Sequence, residues 1–473
     1  MRAGHSEDRC RSGSTAVSPM YIKNHDELIS HGNRALRAAA LAIAEHTLER
    51  VNPYAATRRL AHLEGRTLTV GELTYDLSKR GAIYVLGAGK ASLPIAYALE
   101  DVLGQHITDS LVIVKEGQER STHIITLREA SHPLPDERGY DAARAMVQLA
   151  RKARQGDIVF CAITGGSSAL APYPVEGVTL QQKRAVHRLL LECGASIREI
   201  NAVRKHLSQI KGGRLALAIF PAEIINLTVS DVTGDPYDYI TCPTVPDTST
   251  FADAMRVLDR YDLWGRFPAS AAAYLRNATP ELENPRDFGA HPVHTFLLVR
   301  SGEACEAAAE KAAKLGFVPR ILTTEMEGDS TAEGLAFGAR LASSYGDEAV
   351  ALIAGGETTV TLHGEGGLGG PNQEFALSAA RALTSEDMVV LSLDTDGTDG
   401  PTLLAGGLTD SSTLSRARER GIDPETALTQ HDVSPVLTAL HDAIVTGHTG
   451  TNVNDLKLGL RTTTASSKLA QEG

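Results

Sequence analysis

Two glycine-rich turns hold the residues that could bind an anion. Gly87 to Lys90 follows the apolar run Ala82 to Leu86, and Thr164 to Ser168 follows Asp157 to Ile163. Small residues let backbone N–H groups approach an anion, and the N-terminus of a following helix adds positive potential. Both turns are therefore predicted to bind phosphate through these residues: Gly87, Gly89, Lys90, Gly165, Gly166 and Ser167.

Neither turn has the spacing of a well-defined motif. Tyr84 occupies the first glycine position of a P-loop, and Ser92 occupies the last glycine position of GxGxxG. A tight turn with a solvated lysine therefore stays open for the first turn. A serine nucleophile stays open for the second turn, although the GxSxG elbow is absent and no histidine partner is identifiable.

Acidic residues follow the other apolar runs of the chain. Phosphoryl transfer needs a hard cation that bridges phosphate oxygens, and Mg²⁺ takes one or two carboxylates. A further carboxylate can accept the proton of an attacking hydroxyl. Each acid also has a structural alternative as a helix N-cap or turn former. The candidates are Asp231, Asp235, Glu357, Asp394, Asp396 and Asp399.

A basic segment is predicted to form one helix from Asn201 to Arg214. Arg204, Ser208 and Lys211 recur at helical spacing and would share a face. In a chain of net charge −12, a concentrated basic face favours an anion site, and arginine suits bidentate carboxylate or phosphate binding. A solvated face is the alternative, and His206 is predicted to be structural.

The elements that must position these groups alternate between strand and helix. Apolar runs end in glycines, hydroxyls or acids, and helical segments often follow, which favours parallel sheets covered by helices. The fold class is therefore α/β, with two domains, each a largely parallel sheet flanked by helices. In open α/β sheets, ligands bind beyond the carboxyl ends of the strands, where nearly every candidate group falls.

The predicted domain organisation has three parts. Residues 1–30 are expected to be a disordered extension, residues 31–280 an N-terminal Rossmann-like domain, and residues 290–473 a C-terminal α/β domain. The polar segment 277–292 is expected to connect the two domains.

Composition restricts the class of protein. A net charge of −12 argues against nucleic acid and anionic membrane as partners. The five cysteines show no CxxC spacing, which fits a reducing compartment, so the predicted location is the cytoplasm. No apolar stretch approaches the roughly 18 residues of a membrane span, and the polar residues 1–20 predict no secretory signal.

Taken together, these strings resemble the two-domain glycerate kinase family, over about His31 to Leu456. The C-terminal part resembles the MOFRL-type domain, whose motif is read in degenerate form around Gly364 to Gln373. Several strings in the right order make a chance match improbable. The most specific are Gly87 to Ala91, Ser131 to Asp136, Arg204 to Gly213, Gly355 to Thr359, Asp394 to Pro401 and Thr449 to Asp455.

The resemblance implies ATP- and Mg²⁺-dependent phosphorylation of D-glycerate to 2-phosphoglycerate in a cleft between the domains. It implies catalytic roles for Lys90, Asp231, Asp396 and Arg204. It implies metal binding by Asp231, Glu357 and Asp396. Further cofactor contacts are expected from Glu357, Asn372 and Asn452. The expected partner is a small-molecule substrate, and a homodimer is an open possibility.

One residue departs from the family pattern. The family often has arginine in a Gly-Gly-Arg-Asn-Gln-Glu string, and this chain has Pro371 there. Either another cation substitutes, with Arg204 the nearest choice, or activity or substrate preference differs. Two other functions stay open: an NAD(P)H-dependent hydroxypyruvate reductase, which would need the absent GxGxxG motif, and a catalytically inactive metabolite-binding regulator.

Overall fold

The computed structural model describes residues 20–118, 122–230, 237–240, 242–300, 302–344, 348–362, 364 and 366–462. Among these residues, no helix is long and apolar enough to cross a membrane. The helices are α1 (His25–Leu28), α2 (Arg34–Arg50), α3 (Pro53–Leu60), α4 (Ser92–Leu103), α5 (Glu137–Ala150), α6 (Ser167–Leu170), α7 (Leu180–Glu192), α8 (Ile197–His206), α9 (Arg214–Ile219), α10 (Tyr237–Ile240), α11 (Phe251–Arg260), α12 (Ala269–Arg276), α13 (Glu303–Lys314), α14 (Ser330–Ala342), α15 (Pro371–Ala379), α16 (Thr413–Glu419), α17 (Pro424–Thr429) and α18 (Val433–Ala439).

The strands form three sheets: a three-stranded meander and two six-stranded sheets. They are β1 (Ala61–Glu64), β2 (Thr67–Val70), β3 (Leu73–Asp76), β4 (Ile83–Ala88), β5 (Ile107–Lys115), β6 (Leu127–Ala130), β7 (Ile158–Ile163), β8 (Glu223–Val229), β9 (Val293–Val299), β10 (Val318–Met326), β11 (Val350–Gly356), β12 (Met388–Asp394), β13 (Gly406–Asp410), β14 (Ala443–Ile444) and β15 (Asp455–Arg461).

The first large sheet is parallel throughout. Its strand order is β6-β5-β4-β7-β8-β9, and every neighbouring pair is parallel. Strands β4 and β7 are buried along their whole length, as expected for a sheet covered on both faces. The chain builds outward from β4 on one side and from β7 on the other, which is the strand order of a Rossmann fold. The predicted Rossmann-like arrangement is confirmed.

The second large sheet is mixed, which corrects the expectation of a largely parallel one. Its order is β10-β11-β15-β12-β13-β14, and only the β10–β11 pair is parallel. The physical reason lies in the connections. The segment between β12 and β13 contains no crossover helix, so these strands pair antiparallel. Strand β15 then enters between β11 and β12, antiparallel to both.

The two sheets do not divide the chain at residues 280–290 as expected. Strand β9 still belongs to the first sheet, and Asn284 of the expected linker is 2% exposed and donates to Asp247 at 2.7 Å. The N-terminal helix α2 packs instead on the second sheet, where Leu41 shares a core with Ile353. We define the first domain as residues 52–299, and the second domain as residues 20–51 together with 302–462.

A buried ion network attaches α2 to the second domain. Arg37 is fully buried and donates to Asp410 and Asp442, each at 2.6 Å, and to the carbonyl oxygens of Leu28 and Leu408 at 2.6 and 3.1 Å. Breaking a buried pair leaves an uncompensated charge, which costs about 3–5 kcal/mol. This network therefore holds the start of the chain in the second domain.

The described part of the N-terminal segment is ordered, contrary to expectation. Residues 1–19 lie outside the described residues. Ile22 is fully buried, and the backbone N–H groups of Tyr21 and Ile22 donate to the Glu45 carboxylate at 3.0 and 2.6 Å. These contacts supply partners for backbone groups that burial would otherwise leave unsatisfied.

Candidate active site

The two glycine-rich turns meet between β4 and β7, where the strand order of the first sheet reverses. Strands β4 and β7 are neighbours, so the turns after them lie side by side. The Lys90 N–H donates to the Gly165 carbonyl at 2.8 Å, and the Ala91 N–H donates to Thr164 Oγ1 at 3.1 Å. The carboxyl ends of β4 and β7 form the topological switch point, where open α/β sheets bind their ligands.

Gly89 has a steric reason to be glycine. Its φ is +147°, and a Cβ at this position would lie 2.0 Å from Thr164 Oγ1 and 2.8 Å from the Thr164 carbonyl oxygen. Any side chain would push the two turns apart, because real Cβ contacts are never this short. The glycine therefore permits the close approach that brings Lys90 beside Gly166.

The acidic residues of the second domain lie at one end of its central strands. Strand register aligns Gly356 of β11, Asp455 of β15 and Asp394 of β12 in a row. Glu357 and Asp396 follow β11 and β12 directly, so both leave the sheet at the same edge. The loop is tied down locally: Asp396 Oδ1 accepts from the backbone N–H and the hydroxyl of Thr398 at 2.9 and 2.7 Å.

A salt bridge joins the two predicted catalytic groups across the domains. Lys90 Nζ lies 2.6 Å from Asp396 Oδ2, although the residues are 306 positions apart in the chain. The Lys90 side chain is 23% exposed and that of Asp396 6%, so the pair is partly shielded from water. This contact brings the switch point of one sheet against the acidic loop of the other.

The pKa values of Asp394 and Asp396, in the same loop, shift in opposite directions. Burial, together with the charges of Asp396 and Asp455, raises the pKa of Asp394 well above its usual range. Burial also acts on Asp396, but the Lys90 ammonium and the bonds from Thr398 hold its pKa below the usual range. Asp396 is therefore the more acidic of these two carboxyl groups.

A cleft of about 1000 Å³ lies between the domains. One wall comes from the first domain and includes the Thr164 to Ser168 turn with Arg198 and Arg204. The opposite wall comes from the second domain and includes Glu325, Glu327 and Glu357, so basic and acidic groups face each other. Five predicted site residues line it: Gly165, Gly166, Ser167, Arg204 and Glu357.

Other predicted residues have different positions. Asp231 and Asp235 lie outside the described residues. Asn372 does not line the cleft: it is 1% exposed, donates to Asp455 at 2.9 Å and accepts from Ser392 at 2.6 Å. It holds the loop after β12 in place, because Asp399 in that loop also accepts the Asn372 backbone N–H. Asn452 is 8% exposed in the turn before β15.

The basic segment is not one helix, which corrects a second expectation. Helix α8 ends at His206, and α9 begins only at Arg214. The Ser208 hydroxyl accepts from the backbone N–H of Lys211 at 3.3 Å, and Gly212 and Gly213 have positive φ angles. These features turn the chain, so Ser208 and Lys211 do not share a helical face with Arg204.

His206 has the structural role that was predicted. The residue is fully buried, and its two ring nitrogens lie 2.7 Å from the Ala202 carbonyl and from Glu283. Both nitrogens have partners within the first domain, so the side chain needs no ligand.

Sequence reasoning missed His132 as a site residue. Its ring lies beside Gly166: a Cβ at Gly166 would be 3.2 Å from the His132 ring and 3.1 Å from Lys90 Cγ. Burial, with the charges of Lys90 and Lys115, lowers the pKa of His132 to about 4, so the ring is neutral near pH 7. The string Ser131 to Asp136 was singled out only for its resemblance, because a lone histidine in a loop carries little signal.

Glu325, Glu327 and Asn454 were also missed. They line the cleft, but Glu325 and Glu327 lie at the end of β10, where the sequence shows no glycine-rich turn before them. Within the part of the chain that the structure describes, no three His, Cys, Asp or Glu side chains form a metal cluster. A phosphate-bound Mg²⁺ needs only one or two carboxylates, so the acidic wall fits such an ion.

Comparison with known proteins places these features in a wider group. Residues 39–276 match the family described as Domain of unknown function (DUF4147), and residues 350–455 match the MOFRL family. The chain is 38% identical to the glycerate 2-kinase of Pyrococcus horikoshii, over 90% of this chain and 98% of that protein. It is 39% identical to an Agrobacterium vitis protein with the provisional name hydroxypyruvate reductase, over 80% and 87%. The crystal structure of the Thermotoga maritima glycerate kinase matches at a TM-score of 0.77 and 35% identity, over 90% of this chain and 100% of that one.

Proposed function

This chain belongs to the two-domain glycerate kinase family, and on that premise we propose that it transfers the γ-phosphoryl group of ATP to D-glycerate, forming 2-phosphoglycerate. Glycerate kinase activity is the function that its relatives' names share most widely. The proposal also includes the hydroxyl group that is phosphorylated, which is the 2-hydroxyl, the nucleotide, which is ATP, and the metal, which is Mg²⁺.

The Lys90–Asp396 contact is the observation that carries this proposal. A lysine at the switch point of a Rossmann-type sheet is placed where phosphates bind. Its partner comes from the other domain, at 2.6 Å. Phosphoryl transfer relies mainly on positioning and electrostatic stabilisation, so a cleft whose charged groups come from two bodies suits that chemistry.

The proposal gives each group a role. Lys90 binds phosphate oxygens as charge shifts towards the leaving group, and Asp396 orients it. Arg204, on the first domain's wall of the cleft, binds substrate anion. His132 is neutral near pH 7 and lies beside Gly166, so its unprotonated ring nitrogen accepts a hydrogen bond from the attacking hydroxyl.

The acidic wall is the proposed place for Mg²⁺. Glu357 with Asp396 would hold the ion, and Asp231 is a further proposed ligand. When bound, Mg²⁺ neutralises charge on the phosphates and polarises the bond that breaks. The carboxylates of Glu325 and Glu327 add negative charge to the same wall, which favours a divalent cation there.

A reductase is the second candidate, because one relative carries that provisional name and the strand order is that of dinucleotide-binding folds. Against it, the turn at Gly87 lacks the GxGxxG spacing, and Gly89 packs against Thr164 rather than facing open space. An inactive regulator is disfavoured by the Lys90–Asp396 pair, which joins two predicted catalytic groups across the domains.

Phosphorus NMR of the product made from D-glycerate, ATP and Mg²⁺ tests the proposal. We expect the resonance of 2-phosphoglycerate and its loss when a chelator removes the metal. A parallel assay follows NADH absorbance with hydroxypyruvate. NADH oxidation without ATP consumption would establish the reductase instead, and neither reaction would leave the regulator.

The cellular location and the oligomeric state are two separate proposals. We propose a cytoplasmic location, which the four free cysteines at positions 161, 193, 242 and 305 support, because reduced thiols are usual there. The homodimer stays a prediction, and light scattering of the purified chain at several concentrations tests it.

A further inference from the structure

A second cavity of about 620 Å³ adjoins the cleft in the first domain. The two cavities share Gly166, Ser168 and Arg204 as lining residues, so a ligand in one can reach the other. The second cavity also contains His132 and, from helix α7, Lys183 and His187.

Two cations, Lys183 and Arg204, line this cavity, and a third, Lys211, lies behind them, close enough for its charge to act on Lys183. Arg204 makes no hydrogen bond or ion pair with any described residue. Among the residues that the structure describes, Lys183 Nζ donates only to the Leu207 carbonyl at 3.3 Å, and Lys211 Nζ only to Cys242 Sγ at 3.4 Å. Each ammonium has three donors, so both lysines keep donors in reserve.

No carboxylate compensates these charges among the described residues. Lys205, on the same helix as Arg204, shows the contrast, because it is paired with Asp247 at 3.1 Å. Burial, with the charges of Arg204 and Lys211, lowers the pKa of Lys183 to about 7. Burial likewise lowers the pKa of Lys211. Cations shielded from water without a carboxylate partner are costly, so a group of three with no such partner among the described residues favours an anion beside it.

Two further polar atoms point to a missing ligand. His187 Nδ1 and Arg184 Nε are buried without a hydrogen-bond partner among the described residues, and both side chains line this cavity. Buried polar groups are nearly always satisfied, so orphaned atoms at a cavity mark the place of a bound molecule.

We propose that Lys183, Arg204 and Lys211 bind the carboxylate of the small hydroxy-acid substrate in this second cavity. The inference rests on the proposed function for the identity of the acid. It places the carboxylate beside the cations, the hydroxyl groups towards His132 and Gly166, and the phosphoryl group at Lys90. The nucleotide is then left to the larger cleft.

The test uses Lys183→Met and Lys211→Met in the full-length protein, with calorimetric titration of D-glycerate. Each variant is expected to raise the dissociation constant for D-glycerate about tenfold or more, because a charge-assisted hydrogen bond is lost. The dissociation constant for a non-hydrolysable ATP analogue with Mg²⁺ should stay within about twofold. Lys183→Arg keeps the charge and should recover most of the affinity.

Thermal stability gives a readout that a structural role would not produce. Without ligand, Lys183→Met and Lys211→Met should melt at a higher temperature than the native chain, because each removes an uncompensated charge. The control Lys205→Met should melt at a lower temperature and keep its glycerate affinity, because it breaks the pair with Asp247. If Lys205→Met does not fold, Lys311→Met, the same substitution on α13 of the second domain, serves as the control for glycerate affinity.

The outcomes separate this inference from the proposed function. Unchanged glycerate affinity in both variants, or a loss of nucleotide affinity instead, overturns the subsite even if the native enzyme phosphorylates glycerate. A native protein that binds D-glycerate through Lys183 but transfers no phosphate keeps the subsite and overturns the kinase. If the native chain binds no D-glycerate, the subsite is wrong.

Discussion

Lys90 is held by Asp396 before any ligand arrives, so phosphate must compete for its donors. We expect Lys90→Ala to lower kcat about 100-fold or more while changing KM for glycerate little, because the lysine acts on charge that rearranges during transfer. Steady-state kinetics at saturating ATP measure this, with the exposed Lys79→Ala as control. A kcat close to that of the native enzyme would remove Lys90 from the catalytic residues.

Gly89 offers a test of how tightly the two turns must pack. Gly89→Ala should lower the free energy of unfolding by about 2–4 kcal/mol, because its Cβ would meet the Thr164 backbone. Gly65→Ala is the matched control: its φ is also positive, but nothing lies within 4 Å of the added Cβ. That change should cost only about 1 kcal/mol. Equal losses in urea unfolding would show that backbone conformation alone, and not the contact, sets the effect.

Asp399 makes stability depend on pH in an unusual direction. Burial raises its pKa to about 6, although it accepts backbone N–H bonds from Asn372 and Gln373. Because the folded state then binds the proton more tightly than the unfolded state, this residue's contribution to stability rises as the pH falls through 6 towards 4. The difference in unfolding free energy between the native chain and Asp399→Asn should therefore shift in favour of the native chain, by about 2 kcal/mol between about pH 7.5 and pH 4.5. A difference that is constant or moves the other way in urea unfolding would contradict the raised pKa.

At the level of elements, the strand ends were predictable and one helix was not. The runs Ala82 to Leu86 and Asp157 to Ile163 became β4 and β7 within two residues at each end, because continuous apolar stretches with glycine close by carry a strong signal. The basic helix failed because the Ser208 hydroxyl accepts the backbone N–H of Lys211 and two glycines follow, which periodicity does not detect.

The candidate site was predictable in part for the same reason. Groups at strand ends converge wherever the strands are neighbours, so Lys90 and Gly166 were found together. Helix-borne Lys183 and loop-borne His132 escaped, because their approach depends on how α7 and the loop before α5 pack on the sheet. No local pattern encodes that packing.

Helix α15 raises the question of Pro371. Proline suits the first helical position, since no backbone donor is needed there. The residue belongs to the second domain and lines neither cavity, whereas Arg204 belongs to the cation group of the first domain. We therefore expect Pro371→Arg not to rescue Arg204→Ala: their effects on kcat/KM for glycerate should add within about 0.5 kcal/mol. A double variant clearly more active than Arg204→Ala would show that the two positions share one anion.

At the scale of the whole molecule, the first domain is inserted into the second. Residues 52–299 should therefore fold when expressed alone, whereas residues 302–473 should not, because they lack α2 and leave Asp410 and Asp442 buried without Arg37. Adding residues 20–51 through a short linker should restore a cooperative unfolding transition. Circular dichroism with urea unfolding of the three fragments measures this. A folded fragment 302–473 would show that the Arg37 network is dispensable.

The insertion also limits how the domains can move. Both chain crossings lie in one small apolar cluster, in which Val51 packs with Val299 and Ala304. The Thr451 hydroxyl donates to the Val51 carbonyl at 2.7 Å, which ties the second domain to the same place. Two adjacent crossings restrict the relative motion of the domains more than a single crossing would. We therefore expect opening of the cleft and separation of Lys90 from Asp396 to occur together.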